Sequence, residues 1–369
     1  MGNLVRHILL ILSIFLFSLT IISCGEDPFF KLDTSDNITT TNDTTTTDSD
    51  SDDSSDEDST NSDNTSTTTD NSSSSSSDNS SSSSSSSGSG IFVAVGASGN
   101  IARSTDNGAS FDNATSPTAN LLSGVGFGNN TFIAVGESGN IIRSTDNGAS
   151  FDNVTSPTGS PLFALGFGNN TFVAVGNSGH IVRSTDNGSS FDNATSPTGS
   201  LLFGVTFGNN TFIAVGESGN IIRSTDNGST WDNATSPTAQ ELWGIGFGNN
   251  TFVAVGSSGH IVRSTDNGSS WDNATSPTAN QLRGVTLGNN TFVAVGNSGH
   301  IVRSTDNGSS FDNVTSPTAD HLRGVTFGNN TFVGVGWSGN IIRSTDNGSS
   351  WDNATSPTAN HLIGVIFSE

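Results

Sequence analysis

The chain has 369 residues, of which only 31% are hydrophobic, and 34 acids against 11 Lys and Arg give a net charge of −23. Two or three ordinary domains would need more apolar side chains, so part of the chain has no core. A single Cys excludes a disulfide framework and any multi-cysteine metal site, and the acidity excludes nucleic acid, whose binding rests on Lys and Arg neutralising phosphates. The charge is uneven. Residues 25–90 hold fifteen acids and Lys31, whereas residues 91–369 hold nineteen acids and nine arginines.

Residues 1–23 read as a signal peptide, with Arg6 ahead of an apolar run from Ile8 to Ile22. The run is short for a bilayer span, which takes about 20 residues, but normal for a signal-peptide core. It ends in Ile21-Ile22-Ser23-Cys24, which resembles the bacterial lipobox. That resemblance implies lipidation of Cys24, and Gly25 after it resembles the pattern of lipoproteins sent to an outer membrane. The expected location is therefore a bacterial cell envelope, on the outer membrane or cell surface, with the membrane reached through the lipid only.

Residues 24–90 form a Ser/Thr/Asp-rich acidic segment, and between Thr39 and Gly90 no side chain is apolar. Such a segment cannot bury enough surface to offset backbone ordering and is expected to be a disordered tether. At about 5–6 Å × √n, 66 flexible residues span roughly 45 Å. A spacer and a low-complexity expansion of unselected length both fit.

Residues 91–369 are seven copies of one 40-residue unit in unbroken register, aligned on Phe92, Phe132, Phe172, Phe212, Phe252, Phe292 and Phe332. Each copy predicts four strands. In one of them, strand A is Leu202 to Phe207, B is Thr211 to Val215, C is Asn220 to Ser224 and D is Thr230 to Thr235, with Gly- and Asn-rich turns between. Four strands per 40 residues is the size of a propeller blade, so the fold class is all-β, a seven-bladed β-propeller. The region opens on a strand B and ends on a strand A (Leu362 to Phe367), so the last strand should complete the first blade and remove the exposed edges.

The turn between C and D, Ser104-Thr105-Asp106-Asn107-Gly108-Ala109-Ser110-Phe111, recurs in all seven copies, with Trp for Phe at 231, 271 and 351. It resembles the Asp-box of the sialidase-type (BNR) repeat, in which the Asp side chain accepts from turn amides, the Gly permits positive φ and the aromatic packs between blades. In that family the Asp-box is structural. Across 91–369 the chain also resembles the photosystem II stability/assembly factor family, seven-bladed Asp-box propellers that include lipoproteins.

The copies differ at few positions. One set lies in the B–C turn (97, 137, 177, 217, 257, 297 and 337), with Asn or His three places on. The other lies at the D–A junction and the start of strand A (121 and 123, and their equivalents). Alternating strand directions put both sets on one face, opposite the Asp-boxes. Varied loops on a rigid scaffold are how binding surfaces are built, so the expected ligand-binding residues are Trp243, Arg283, His321, Arg323, His361 and Trp337, with Glu217 and Glu241 as polar contacts. Drift in unconstrained loops is the alternative, although the invariant Gly-Asn-Asn turn of the other face argues against it.

Catalysis is not expected. Sialidases of the resembling kind use a Tyr nucleophile and an Arg triad, and this chain has no Tyr. Seven of its arginines, Arg103 to Arg343 at 40-residue spacing, occupy one strand-C position and suit a repeated structural bond better than convergence on one carboxylate. Glycoside hydrolysis would need two carboxylates about 5–10 Å apart, and non-repeating acids are few. His321 and His361 start adjacent inner strands and are expected within roughly 6–7 Å, but two His without carboxylate support make a poor zinc site. No metal or cofactor is expected. The Asn-X-Ser/Thr sequons read as turn and strand chemistry. The reading is a non-catalytic, monomeric, lipid-anchored propeller that binds a protein or glycan. A glycoside hydrolase, a photosystem-type assembly factor and a structural surface protein are the alternatives.

Overall fold

The computed structural model describes residues 90–368, so the expected signal peptide, Cys24 and all but the last residue of the tether lie outside the described residues. Twenty-eight strands form seven four-stranded antiparallel sheets, and there is no α-helix among the described residues. We number the blades 1 to 6 from their first strands, which begin at Leu122, Leu162, Leu202, Leu242, Leu282 and Leu322. Blade 3 is typical: strand A is Leu202–Gly208, B is Thr211–Gly216, C is Ile221–Ser224 and D is Asp232–Ala234. Blade 7 joins the chain's two ends. Its strand A, Leu362–Ser368, pairs antiparallel with Ile91–Gly96, which is followed by Ile101–Ser104 and Asp112–Asn113. The expected closure is therefore the one the chain adopts.

Strands A and B are longer in sequence than C and D for a physical reason. Strand B is covered by A and C in its own sheet and by neighbouring blades on both faces, so Thr211–Gly216 is buried throughout. Strand D is shorter than expected because Thr230 hydrogen-bonds to the Asp226 carboxylate instead of entering the sheet. The A–B hairpin turns on two residues of positive φ, Asn209 (46°) and Asn210 (57°), the signature of a tight I′-type turn.

The core is seven equivalent interfaces rather than one centre. Between blades 1 and 2, Ile133, Val135 and Ile141 meet Leu162, Phe172, Val182 and Phe191. The interface of blade 6 with the closing blade repeats it with Val333, Val335 and Ile341 against Phe92, Ala102, Phe111 and Leu362. Each strand-B Phe is fully buried, worth roughly 1.5–3 kcal/mol relative to exposure.

The repeated arginines add a polar ring. Arg103 Nε donates to the Asn147 carbonyl of the next blade, and the bond recurs through all seven blades at 2.6–2.9 Å, ending with Arg343 on Asn107. These seven side chains are thus structural bonds between blades, as their spacing suggested.

Candidate functional site

Two turn types set the two faces apart. In each Asp-box the aspartate gathers its own turn: Asp186 accepts from the Ser190 hydroxyl (2.6 Å), the Ser189 and Ser190 amides and the Ser184 hydroxyl. The hydroxyl bond from Ser190, set against a small burial cost and joined by the amide bonds, holds the Asp186 carboxyl at about 2. Gly188 follows Asn187 at φ 76°, where a Cβ would also meet Ile133 of the preceding blade at 2.3 Å, so only glycine fits.

On the opposite face, every strand A carries a bulge at its second residue. Leu202 pairs with Gly216 and Gly204 with Val215, leaving Phe203 as the extra residue, and the same shift occurs in all seven blades. A bulge re-aims the side chain it carries. The re-aimed positions are the variable ones: Ser123, Phe163, Phe203, Trp243, Arg283, Arg323 and Ile363, all 9% exposed or less. They stack from blade to blade. Phe163 lies 6.0 Å from Phe203, Phe203 stacks on Trp243 at 4.0 Å, and the Arg283 guanidinium lies 3.9 Å from the centroid of the Trp243 ring. The residue after each bulge is Gly in six blades and Ala164 in one. At Gly244 a Cβ would come within 2.5 Å of the Arg283 carbonyl, so a small residue lets neighbouring inner strands approach. Nearer the Asp-box face, the channel holds a cavity of about 280 Å³ lined by the next three rows of strand A, among them Val205, Thr206 and Phe207, and by none of the ring residues.

The eight candidate residues fall into two groups and one outlier. Glu241, Trp243 and Arg283 share a network: the Ser257 hydroxyl donates to Glu241 (3.1 Å) and accepts from the Trp243 indole N–H (3.1 Å) and from Gln281 (3.3 Å), beneath the Arg283–Trp243 contact. His321, Arg323, Trp337 and His361 form the second group. The Trp337 indole is met edge-on by His321 at 4.2 Å, stacked by His361 at 5.1 Å and approached by the Arg323 guanidinium at 5.1 Å. Glu217 stands apart, accepting from the Leu201 amide at 3.4 Å. The structure therefore places Trp337 between the two histidines expected to approach each other. Burial first, then the nearby Arg323 charge, push the His361 imidazole below its usual 6.5, with Asp320 opposing.

The Asn/His alternation three places on has a local cause. Asn100 Nδ2 donates to the Ala97 carbonyl, and Asn340 Nδ2 to Trp337. His180, His260 and His300 place Nδ1 at 2.9–3.2 Å from the equivalent carbonyls. An amide N–H and an imidazole N–H serve the same turn, so this alternation is turn chemistry. No group of three or more potential metal ligands gathers among the described residues.

Sequence reasoning missed the bulge, and with it the burial of the ring and the supporting partners Ser257, Gln281 and Asp320. The available signal was the glycine directly after each variable residue, since an isolated Gly within a strand pattern marks a bulge or a close backbone approach.

A family model described as photosynthesis system II assembly factor YCF48 matches residues 94–333. Among solved structures, YCF48 bound to D1 peptide matches at TM-score 0.54 and 18% identity, covering 64% of this chain and 81% of that one. YCF48 from Cyanidioschyzon merolae matches at TM-score 0.54 and 18% identity, covering 66% and 88%. A computationally designed protein, Ika8, matches at TM-score 0.56 and 13% identity, covering 76% and 88%. At such identities these structures share the fold. No curated protein matches the chain. With its repeats, its seven closed blades and a family match over most of the propeller, the chain belongs to the photosynthesis system II assembly factor YCF48 family.

Proposed function

We propose that this propeller is a non-catalytic binding module that engages a protein partner through the face opposite the Asp-boxes. The observation that carries the reading is the segregation of difference: the bulged ring and the B–C turns change from blade to blade while the Asp-box face repeats. The structure of the family member YCF48 with a D1 peptide supports a polypeptide ligand. A glycan is the less favoured partner, because sugars stack on open aromatic faces. Trp243 is 8% exposed between Phe203 and Arg283, and Trp337 has His361 on one face. The paired carboxylates of a glycosidase have no counterpart in the two candidate clusters: the first contains one acid, Glu241, and the second has only Asp320 beside it.

The anchor is part of the proposal. Lipidated at Cys24, the chain is held in a bacterial cell envelope, at the outer membrane or cell surface, as a monomer. Ile91 begins its strand opposite Ser368, at the Asp-box end of blade 7, so the propeller's first strand starts at the end away from the variable face. Cys24→Ser is expected to move the protein from the membrane to the soluble fraction, and unchanged fractionation contradicts lipid anchoring.

Purified full-length protein, titrated against a panel of envelope proteins and a glycan array, tests the binding reading. Binding to a protein, weakened at least tenfold by Glu137→Lys with Glu217→Lys, is the expected result. Glycan binding, or protein binding indifferent to both substitutions, contradicts it.

A further inference from the structure

We propose that His321 and His361 form an acid-released latch over Trp337, holding the B–C turns of blades 5 and 6 while both imidazoles are neutral. The geometry fixes the neutral form. The Ser298 amide of the blade 5 turn donates to His321 Nδ1 at 2.8 Å, and the Ser338 amide of the blade 6 turn donates to His361 Nδ1 at 2.9 Å. A backbone N–H can only donate, so each Nδ1 presents its lone pair and each ring proton resides on Nε2. Adding a proton to Nδ1 sets two N–H groups against each other, and the ring must leave the turn. At the same place the other blades carry Leu121, Pro161, Leu201, Glu241 and Gln281, none of them an imidazole, so the latch belongs to blades 5 to 7.

The same two rings hold Trp337, one by its edge and one by its face. Charged neighbours acting on His361 are Asp320 and Arg323, from the start of strand A of blade 6, while Arg283 and His300 lie in strand A and at the close of the B–C turn of blade 5. Asp320 accepts from Asn340 at 2.6 Å and favours the imidazolium, whereas Arg323, already against the indole, opposes it. Burial and Arg323 shift the His361 balance toward the neutral ring, which places release of that ring below pH 6.5. Release exposes the indole and adds two positive charges to the variable face, so acid changes what that face offers a partner.

The test needs no partner and so stands apart from the binding reading. Tryptophan emission of the full-length protein is followed from pH 8 to pH 5, with far-UV circular dichroism at each step. A red shift with a midpoint below 6.5 is expected, at constant dichroism, and it should vanish in both Trp337→Phe and the double variant His321→Gln/His361→Gln. Gln281 already occupies the equivalent place in blade 5, so Gln suits the site. A shift that survives in the double variant, no shift in the unaltered protein, or a midpoint at or above 6.5 overturns the latch. Imidazole ¹⁵N shifts of the unaltered protein give a second reading at pH 8. Protons on Nε2 of both rings support the latch, and a proton on Nδ1 of either overturns it.

Discussion

On the Asp-box face the blades repeat one set of bonds: an aspartate gathering its turn and an arginine reaching the next blade in all seven, and in five an asparagine amide such as Asn187 Nδ2 donating to Thr131 of the preceding blade at 2.7 Å. On the opposite face no two blades carry the same set. Phe163 and Phe203 stack, Trp243 lies under Arg283, and Trp337 sits between two histidines. Both faces come from the same 40-residue unit, so the difference lies in which positions the closure of the ring constrains. Inter-blade bonds on the Asp-box face must fit two blades at once, whereas the bulge projects its side chain clear of the ladder and accepts Ser, Phe, Trp, Arg or Ile. The scaffold thus holds stability on one side and variety on the other.

Core substitutions should give the largest stability losses and ignore the distinction between faces. Phe212→Ala removes a fully buried ring and is expected to cost about 3–5 kcal/mol in chemical denaturation. Phe92→Ala in the closing blade should match it, and a loss under half as large would show the two-ended blade to be looser than the rest.

Next come the Asp-boxes. Asp226→Ala strips the Thr230 amide and hydroxyl of their acceptor and should cost about 1–3 kcal/mol, with a similar loss for Asp106→Ala. The pH dependence follows in sign. Asp186, Asp266 and Asp346 are held at about 2 against an ordinary 3.8, so their contribution is complete above 3.8 and is lost as pH falls from there toward 2. Thermal stability should therefore decline across that window, on the Asp-box side. A decline confined to pH 5–7 would break the contrast.

The arginine ring sharpens the comparison further. Arg223→Ala and Arg343→Ala should each cost about 1 kcal/mol, equally, because the seam bond to Asn107 has the same length as the bond to Asn267. Smallest of all, Glu137→Gln on the exposed B–C turn should leave stability within about 0.5 kcal/mol, measured by the same denaturation series.

Much of this was legible in the sequence because repetition makes hydrogen-bonding needs visible seven times over. The Asp-box serine, aspartate and glycine announced a turn, the Gly- and Asn-rich turns announced four strands per copy, and the incomplete first and last copies announced closure. The variable positions were legible as a set. Their burial was not, because the glycine of Leu-Trp-Gly or Leu-Arg-Gly marks a bulge or a close backbone approach without stating that the middle residue drops out of the ladder. That depends on the register of Leu242 with Gly256, a contact the chain makes only when folded. Side-chain partners drawn from another turn, such as Ser257 for Trp243 or Ser298 for His321, were invisible for the same reason.

Site-specific photo-crosslinking in host cells tests the central claim most directly. A photoreactive residue is placed at 137, 217 or 257 on the variable face, or at 109, 149 or 189 on the Asp-box face. The account predicts a discrete protein adduct from the first set and none from the second. Adducts from the Asp-box positions alone, or from both sets equally, would contradict it.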